Sequence, residues 1–295
     1  MLLLRRVIEK FWELYRQRVS LPPLELTGAA RLPIVFFHIP RTGGITFHAI
    51  LRRIDAPAGV SPHFDSDQFL IDTIAARPDF FRQHSVYSGH FSARILPLVP
   101  PGASKLIFLR HPVPLLRSTY HLLRNLPLGK RYSEIDSEGK FAAEFCMANS
   151  FEAFIESPDP RLQPHTRSPQ TRALGLDGMF DPERTSDPAA LARAKAILSS
   201  FEFVGITERY SESLRLFQST YLSTPIRRFY LINASPASLS PAVSEHVQDI
   251  VAVICRLDIE LYEHACAIFE QQIVQCPGFA GSRRAKPRPL PRHRA

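Results

Sequence analysis

The apolar positions of this chain fall into two rhythms. Short, nearly unbroken apolar runs recur at Ile34–Ile39, Val86–Gly89, Lys105–Leu109, Phe203–Ile206 and Arg228–Ile232. Runs of this length without alternation fit strands buried on both faces, as in a parallel sheet. Between them, apolar residues recur every three to four positions. Pro112 to Asn125 puts Val113, Leu116, Tyr120 and Leu123 on one face, and Pro112 stands at the helix start, where its missing N–H costs little. Asp187–Ser199, Glu208–Tyr221 and Asp258–Val274 repeat the pattern. Strands alternating with helices predict an α/β fold, a three-layer sandwich with a central, mostly parallel sheet flanked by helices. Ahead of it, residues 2–19 space Leu4, Val7, Ile8, Phe11 and Tyr15 as on a helix, with Arg5, Arg6, Lys10, Arg16 and Arg18 around them. This predicts an amphipathic helix that packs on the body or rests on a membrane surface. "SLPPLELTG" then reads as a linker.

Composition narrows this outline. The 295 residues are 45% apolar and 22% charged, enough to bury a sizeable core. The expected division is an N-terminal helix and linker at 1–31, one domain at 32–277 and a disordered basic tail at 278–295. The net charge of +8 comes from the ends. Residues 1–31 hold six basic and three acidic side chains, and residues 282–295 hold six basic and no acidic ones, which leaves the body between them at −1. A basic face on the folded body is absent from that distribution, so no nucleic-acid partner is expected. No run of eighteen apolar residues suggests a membrane span, and three leucines before Arg5 are too few for a signal peptide. The expected location is cytoplasmic, with peripheral membrane contact through the first helix as the variant. Cys146, Cys255, Cys266 and Cys276 include no CxxC pair and read as free thiols.

The chemistry is concentrated where two strands end. "PIVFFHIPRTGGITF" (Pro33–Phe47) runs a strand into a glycine turn and then into helix-forming sequence. Glycines let backbone N–H groups approach an anion, and the following helix adds its unpaired N–H groups and the positive end of its dipole. Thr42 and Thr46 offer hydroxyls, and Arg41 offers charge. The loop is neither GxxxxGK[ST] nor GxGxxG, so nucleoside-triphosphate and dinucleotide sites fit it poorly. A second segment, "KLIFLRHPVPLLRS", ends a strand at Arg110 and places Ser118 eight residues later on a helix. A strand-end guanidinium and a helical hydroxyl can converge on one phosphate. No HExxH or similar spacing indicates a metal.

Taken in order, these segments resemble sulfotransferase family 2, the membrane-type carbohydrate sulfotransferases. That family carries "HIPKTGGTT" where this chain has "HIPRTGGIT" (His38–Thr46), and "LRDPVERFLSHY" where this chain has "LRHPVPLLRSTY" (Leu109–Tyr120). "YSGHFS" (Tyr87–Ser92), "QTRALG" (Gln170–Gly175), "FVGITERYSESL" (Phe203–Leu214) and "LDIELYEHA" (Leu257–Ala265) echo it further. The matches span roughly residues 33–270 in the family's order.

The resemblance implies a P-loop-like fold and transfer of a sulfuryl group from 3′-phosphoadenosine 5′-phosphosulfate (PAPS) to a hydroxyl, that of a saccharide by analogy. It places Arg41, Thr42, Gly43, Gly44, Ile45 and Thr46 around the 5′-phosphosulfate, and Arg110 and Ser118 on the 3′-phosphate. It makes His90, in "SGHFS", the base that takes the acceptor proton, with a pKa near neutrality, and Arg41 the cation near the leaving oxygen. His38 orders the loop. Gln170, Arg172, Thr207 and Arg209 line the nucleotide or acceptor site. No metal takes part. Two departures stand out: Arg41 replaces the family's lysine, and Ile45 replaces a threonine. Arginine neutralises charge but donates no proton at ordinary pH. Two other readings stay open: a PAP- or PAPS-binding interaction protein without the chemistry, and a small-molecule kinase.

Overall fold

The computed structural model describes residues 21–28, 30–65, 67–77, 79–126, 136–176, 188–230, 232, 243–281 and 288–290. The expected N-terminal helix lies outside them. A central sheet of five strands forms the frame: β1 (Ile34–Phe37), β2 (Val60–Phe64), β3 (Val86–Gly89), β4 (Ser104–Leu109) and β5 (Phe203–Ile206). Their order across the sheet is β2-β3-β1-β4-β5, and all four pairings are parallel. Every residue of β1 is fully buried. Successive strand residues point to opposite faces, so both faces of the sheet are covered there. The fold is therefore α/β, with a parallel sheet flanked by helices.

Two strand assignments differ from the sequence reading. β2, with sequence VSPHF, was not legible as a strand, because it has neither an apolar run nor clean alternation. It sits at the sheet edge, where Pro62 is tolerated, and its register with β3 shifts between Val60 and His63. Arg228–Tyr230 is a strand but not part of the central sheet. It pairs in parallel with Arg288–Leu290 instead. The basic tail is accordingly not disordered throughout. Part of it is fixed near Phe279, whose carbonyl accepts from Arg215 Nη2 at 3.1 Å and whose ring lies under the Arg215 guanidinium.

The helices that matter for the site are α1 (Gly44–Leu51), α2 (Asp67–Ala76), α3 (Pro112–Asn125), α4 (Pro169–Gly175), α5 (Pro188–Ser199), α6 (Tyr210–Tyr221), α7 (Glu245–Ile254) and α8 (Arg256–Gln275). Phe47 anchors α1 on the sheet. Its ring centroid is 4.8 Å from that of Phe36 and 4.9 Å from those of Phe108 and Phe217. Each such aromatic pair adds about 0.5–1.5 kcal/mol to the burial itself. A second, all-helical core joins Leu116, Tyr120, Phe154, Val247 and Val251 beside the sheet. It holds α3, and therefore Ser118, in place. Among the described residues no helix is long and apolar enough to cross a membrane, and all four cysteines are free thiols.

Candidate anion-binding site

Parallel strands end on one side, and the loops that leave β1 and β4 meet there. The chain leaves β1 through His38 and turns sharply at two residues in the left-handed region, Arg41 at φ 70° and Gly43 at φ 86°. Gly43 then begins α1 as an N-cap with no side-chain cap. The first-turn N–H groups of a helix have no acceptor within the helix, so an uncapped start leaves them for an anion. Glycine is required at Gly43 and at Gly44. A Cβ on Gly43 would lie 2.9 Å from Tyr210 Cε2, and one on Gly44 would lie 1.9 Å from His38 Cδ2. Arginine at a left-handed φ costs on the order of 1–3 kcal/mol and persists only where surrounding bonds hold it.

Those bonds come from three elements. Arg110, just past β4, donates from Nη1 to the Arg41 carbonyl at 2.9 Å. Thr207 Oγ1 lies 2.7 Å from the Thr42 carbonyl and 2.9 Å from the Leu109 carbonyl, bridging the loop to β4. The Tyr210 hydroxyl donates to the Gly43 carbonyl at 3.1 Å. Gln170 grips Arg110 from behind, accepting from its backbone N–H at 2.9 Å and donating to its carbonyl at 2.7 Å. Gln170 is itself fixed by Asp258, whose carboxylate accepts the Gln170 and Thr171 N–H groups at 3.0 and 2.6 Å and so caps α4.

The result is a half-buried pair of cations. Burial, and then the neighbouring Arg110, bring the Arg41 guanidinium down to about 10, still charged at neutral pH. Burial also lowers Arg110, against the pull of Glu208. Glu208 compensates only in part. It stands 3.9 Å from Arg110 Nε, and its oxygens accept from the His111 N–H and the Tyr262 hydroxyl. Arg110 Nε has no hydrogen-bond partner among the described residues. Two partly desolvated guanidiniums beside uncapped helix N–H groups make this a candidate site for a doubly charged anion.

Several side chains take places other than those expected. The Thr42 hydroxyl donates to the Ile39 carbonyl at 2.8 Å, and Thr42 is fully buried. The Thr46 hydroxyl accepts the Ile232 N–H at 2.9 Å. Both hydroxyls are engaged with protein atoms, so the loop offers its backbone rather than its threonines. Ile45 is half-buried on the first turn of α1. Ser118 does not pair with Arg110. It accepts from Arg41 Nε and Nη2 at 3.0 and 2.8 Å, which spends Arg41's fork on α3. Gln170 and Thr207 support the loop from within, and Arg172 is 1% exposed. Arg209 turns away, with ion pairs to Glu212 and Glu270 and its guanidinium over Phe269. His111 caps α3 by accepting the Val113 N–H.

His90 follows β3 directly, and its ring centroid is 4.7 Å from that of His38, whose ring lies against Gly44. The expectation of a pKa near neutrality does not hold. Burial and His63 push His90 down to about 4, while the carboxylate of Asp65 and a backbone hydrogen bond at Asp65 oppose the shift. Burial likewise holds His38 well below its ordinary value. His63 and Asp65 gave no signal in the sequence, since β2 was not legible as a strand. Tyr210 and Glu208 lay inside the segment "FVGITERYSESL", but nothing in their spacing set them apart. No protein-family model matches this chain, and no curated protein matches it.

Proposed function

We propose that this protein is a P-loop-like sulfotransferase that moves the sulfuryl group of PAPS to a hydroxyl, with a saccharide as the acceptor class. The observation that carries the reading is the Arg41–Arg110 pair, two half-buried cations joined at the ends of adjacent strands beside the uncapped start of α1. Such a pair costs the empty protein stability and is relieved by an anion. PAPS brings a phosphate at each end of its nucleoside. On this reading the Gly43–Thr46 backbone and Arg41 hold the 5′-phosphosulfate, and Arg110 holds the 3′-phosphate.

Sulfuryl transfer spreads charge over the transferred oxygens while the attacking and leaving oxygens stand in line, so positioning and fixed charge do most of the work. Arg41 stays protonated and neutralises the leaving phosphate. His90, neutral at pH 7, holds a lone pair for the acceptor proton, and Asp65 Oδ1, 3.9 Å from His90 Nδ1, stabilises the imidazolium as it forms. A base with a low pKa is a weak one, so orientation of the hydroxyl has to supply more of the acceleration.

One observation favours a second reading. Arg41 spends both Nε and Nη2 on Ser118, as suits a cradle that binds PAP without catalysing transfer. Thermal-shift measurements with PAP, ATP and NAD test the shared premise. PAP should raise Tm more than ATP or NAD at equal concentration. Stabilisation by ATP and not PAP would favour a kinase and sink both readings.

A further inference from the structure

Three histidines stand at the carboxyl ends of three adjacent strands. His63 is the penultimate residue of β2, His90 follows β3, and His38 follows β1. The strand register fixes them beside one another, with Phe37 opposite Gly89 and His63 opposite Ser88. Two backbone bonds extend that ladder, from the His38 N–H to the Gly89 carbonyl and from the His90 N–H to the Phe64 carbonyl. One ring nitrogen from each histidine lies within 4.8 Å of the other two. We propose that His38, His63 and His90 form a binding site for a divalent transition metal of the Zn2+ class.

The chemistry of the donors selects the ion. Three imidazoles with no thiolate and no carboxylate among them suit Zn2+ and its neighbours, and not Ca2+ or Mg2+, which require oxygen. Asp65 fixes one ligand in the binding tautomer. Its carboxylate can only accept, so the 3.2 Å contact requires His63 Nδ1 to carry the hydrogen. In the neutral ring that leaves Nε2 as a lone pair, which accepts from His38 Nδ1 at 2.8 Å, so a metal on His38 Nδ1 displaces that hydrogen to the other ring nitrogen. A carboxylate behind a ligating histidine is the usual support of such a site. Tetrahedral coordination with Zn–N near 2.0–2.1 Å sets the nitrogens about 3.3 Å apart. His38 and His63 must therefore open by roughly half an ångström and His90 must swing inward when the metal binds. Three histidine ligands leave a fourth position for water or an anion, the arrangement of catalytic rather than structural zinc.

This inference does not depend on sulfuryl transfer. It meets that reading at one point, because a His90 nitrogen committed to a metal accepts no proton, so Zn2+ would inhibit transfer. The test uses the full chain, stripped with a chelator and titrated with Zn2+ by calorimetry, with Co2+ absorbance as the second readout. One Zn2+ should bind per chain, and Co2+ should give the intense visible bands of four-coordination. His63→Ala and His90→Ala should each weaken Zn2+ binding about 100-fold or more, and Asp65→Asn about 10- to 100-fold. Circular dichroism confirms folding, and His90→Ala, at the more exposed ring, decides the matter if His63→Ala does not fold. Absence of stoichiometric binding, or binding undiminished in His90→Ala, would overturn the proposal.

Discussion

Arg110→Met separates an anion site from an ordinary structural arginine. Methionine keeps most of the apolar stem and removes the guanidinium. Losses and a relief then oppose each other in the empty protein. The bond from Nη1 to the Arg41 carbonyl is lost, a cost of about 1 kcal/mol. The repulsion between the guanidiniums, which helps to lower Arg41 to about 10, is relieved. The Glu208 ion pair, 3.9 Å from Nε, is lost as well, at about 0–1 kcal/mol for a partly exposed pair; losses and relief are of similar size, so Tm should move by less than about 4 °C for a chain of this length. With PAP bound, only losses remain. The phosphate forfeits a charge-assisted bond from Arg110 Nε, which has no hydrogen-bond partner among the described residues, and the Coulomb attraction of a nearby cation. One such bond contributes about 1.5–3 kcal/mol, and a unit pair 4 Å apart at an effective dielectric of 20 contributes about 4 kcal/mol before desolvation. A net loss of about 2–3 kcal/mol weakens PAP binding by about 30- to 150-fold. Calorimetric titration of wild type and variant with PAP, alongside thermal melts of the empty proteins, reads both effects. If Arg110→Met bound PAP as tightly as the wild type, or lost more than about 10 °C of Tm when empty, Arg110 would be a structural residue and the reasoning would fail.

Phe47→Ala should remove about 3–5 kcal/mol of stability and loosen α1 from the sheet, which urea denaturation would register as a lower midpoint at unchanged slope. Gly44→Ala drives a Cβ into the His38 ring and should destabilise by about 1–3 kcal/mol, while Gly28→Ala, with nothing within 4 Å, should leave the melting curve where it is. Burial, and then Arg172, hold His165 down to about 4, against an ordinary value near 6.5. Between those values the unfolded chain binds the proton and the folded chain does not, so stability falls as pH drops from about 6.5 to 4, by up to about 3 kcal/mol. In His165→Gln that part of the pH dependence, followed by urea denaturation at pH 7, 6 and 5, should be missing.

The buried strands were legible because burial on both faces leaves continuous apolar runs, and β1, β3, β4 and β5 fall where those runs lie. α3 was legible to the residue because Pro112 marks its start. β2 was not, since an edge strand with a proline and a register shift needs no apolar pattern. At the site, the glycine turn, Arg41 and Arg110 were visible as residues, but their partners were not. Spacing along the chain put Ser118 with Arg110, whereas the packing of α3 puts it against Arg41. Short-range spacing also missed the three histidines, which lie on separate strands and meet only through sheet order. Gln170 and Thr207 looked like ligand contacts because polar side chains near a loop do. Their hydrogen bonds are spent instead on the backbone that shapes it.

The central claim is that the Arg41–Arg110 cradle serves sulfuryl transfer. Transfer of radiolabelled sulfate from PAPS to a panel of glycans and small alcohols tests it most directly, with Arg41→Ala and His90→Ala as controls. Label should appear on a hydroxyl acceptor with the wild type, not at all with Arg41→Ala, and at a deeply reduced level with His90→Ala. Wild-type protein that binds PAP but moves no label to any acceptor would contradict the claim.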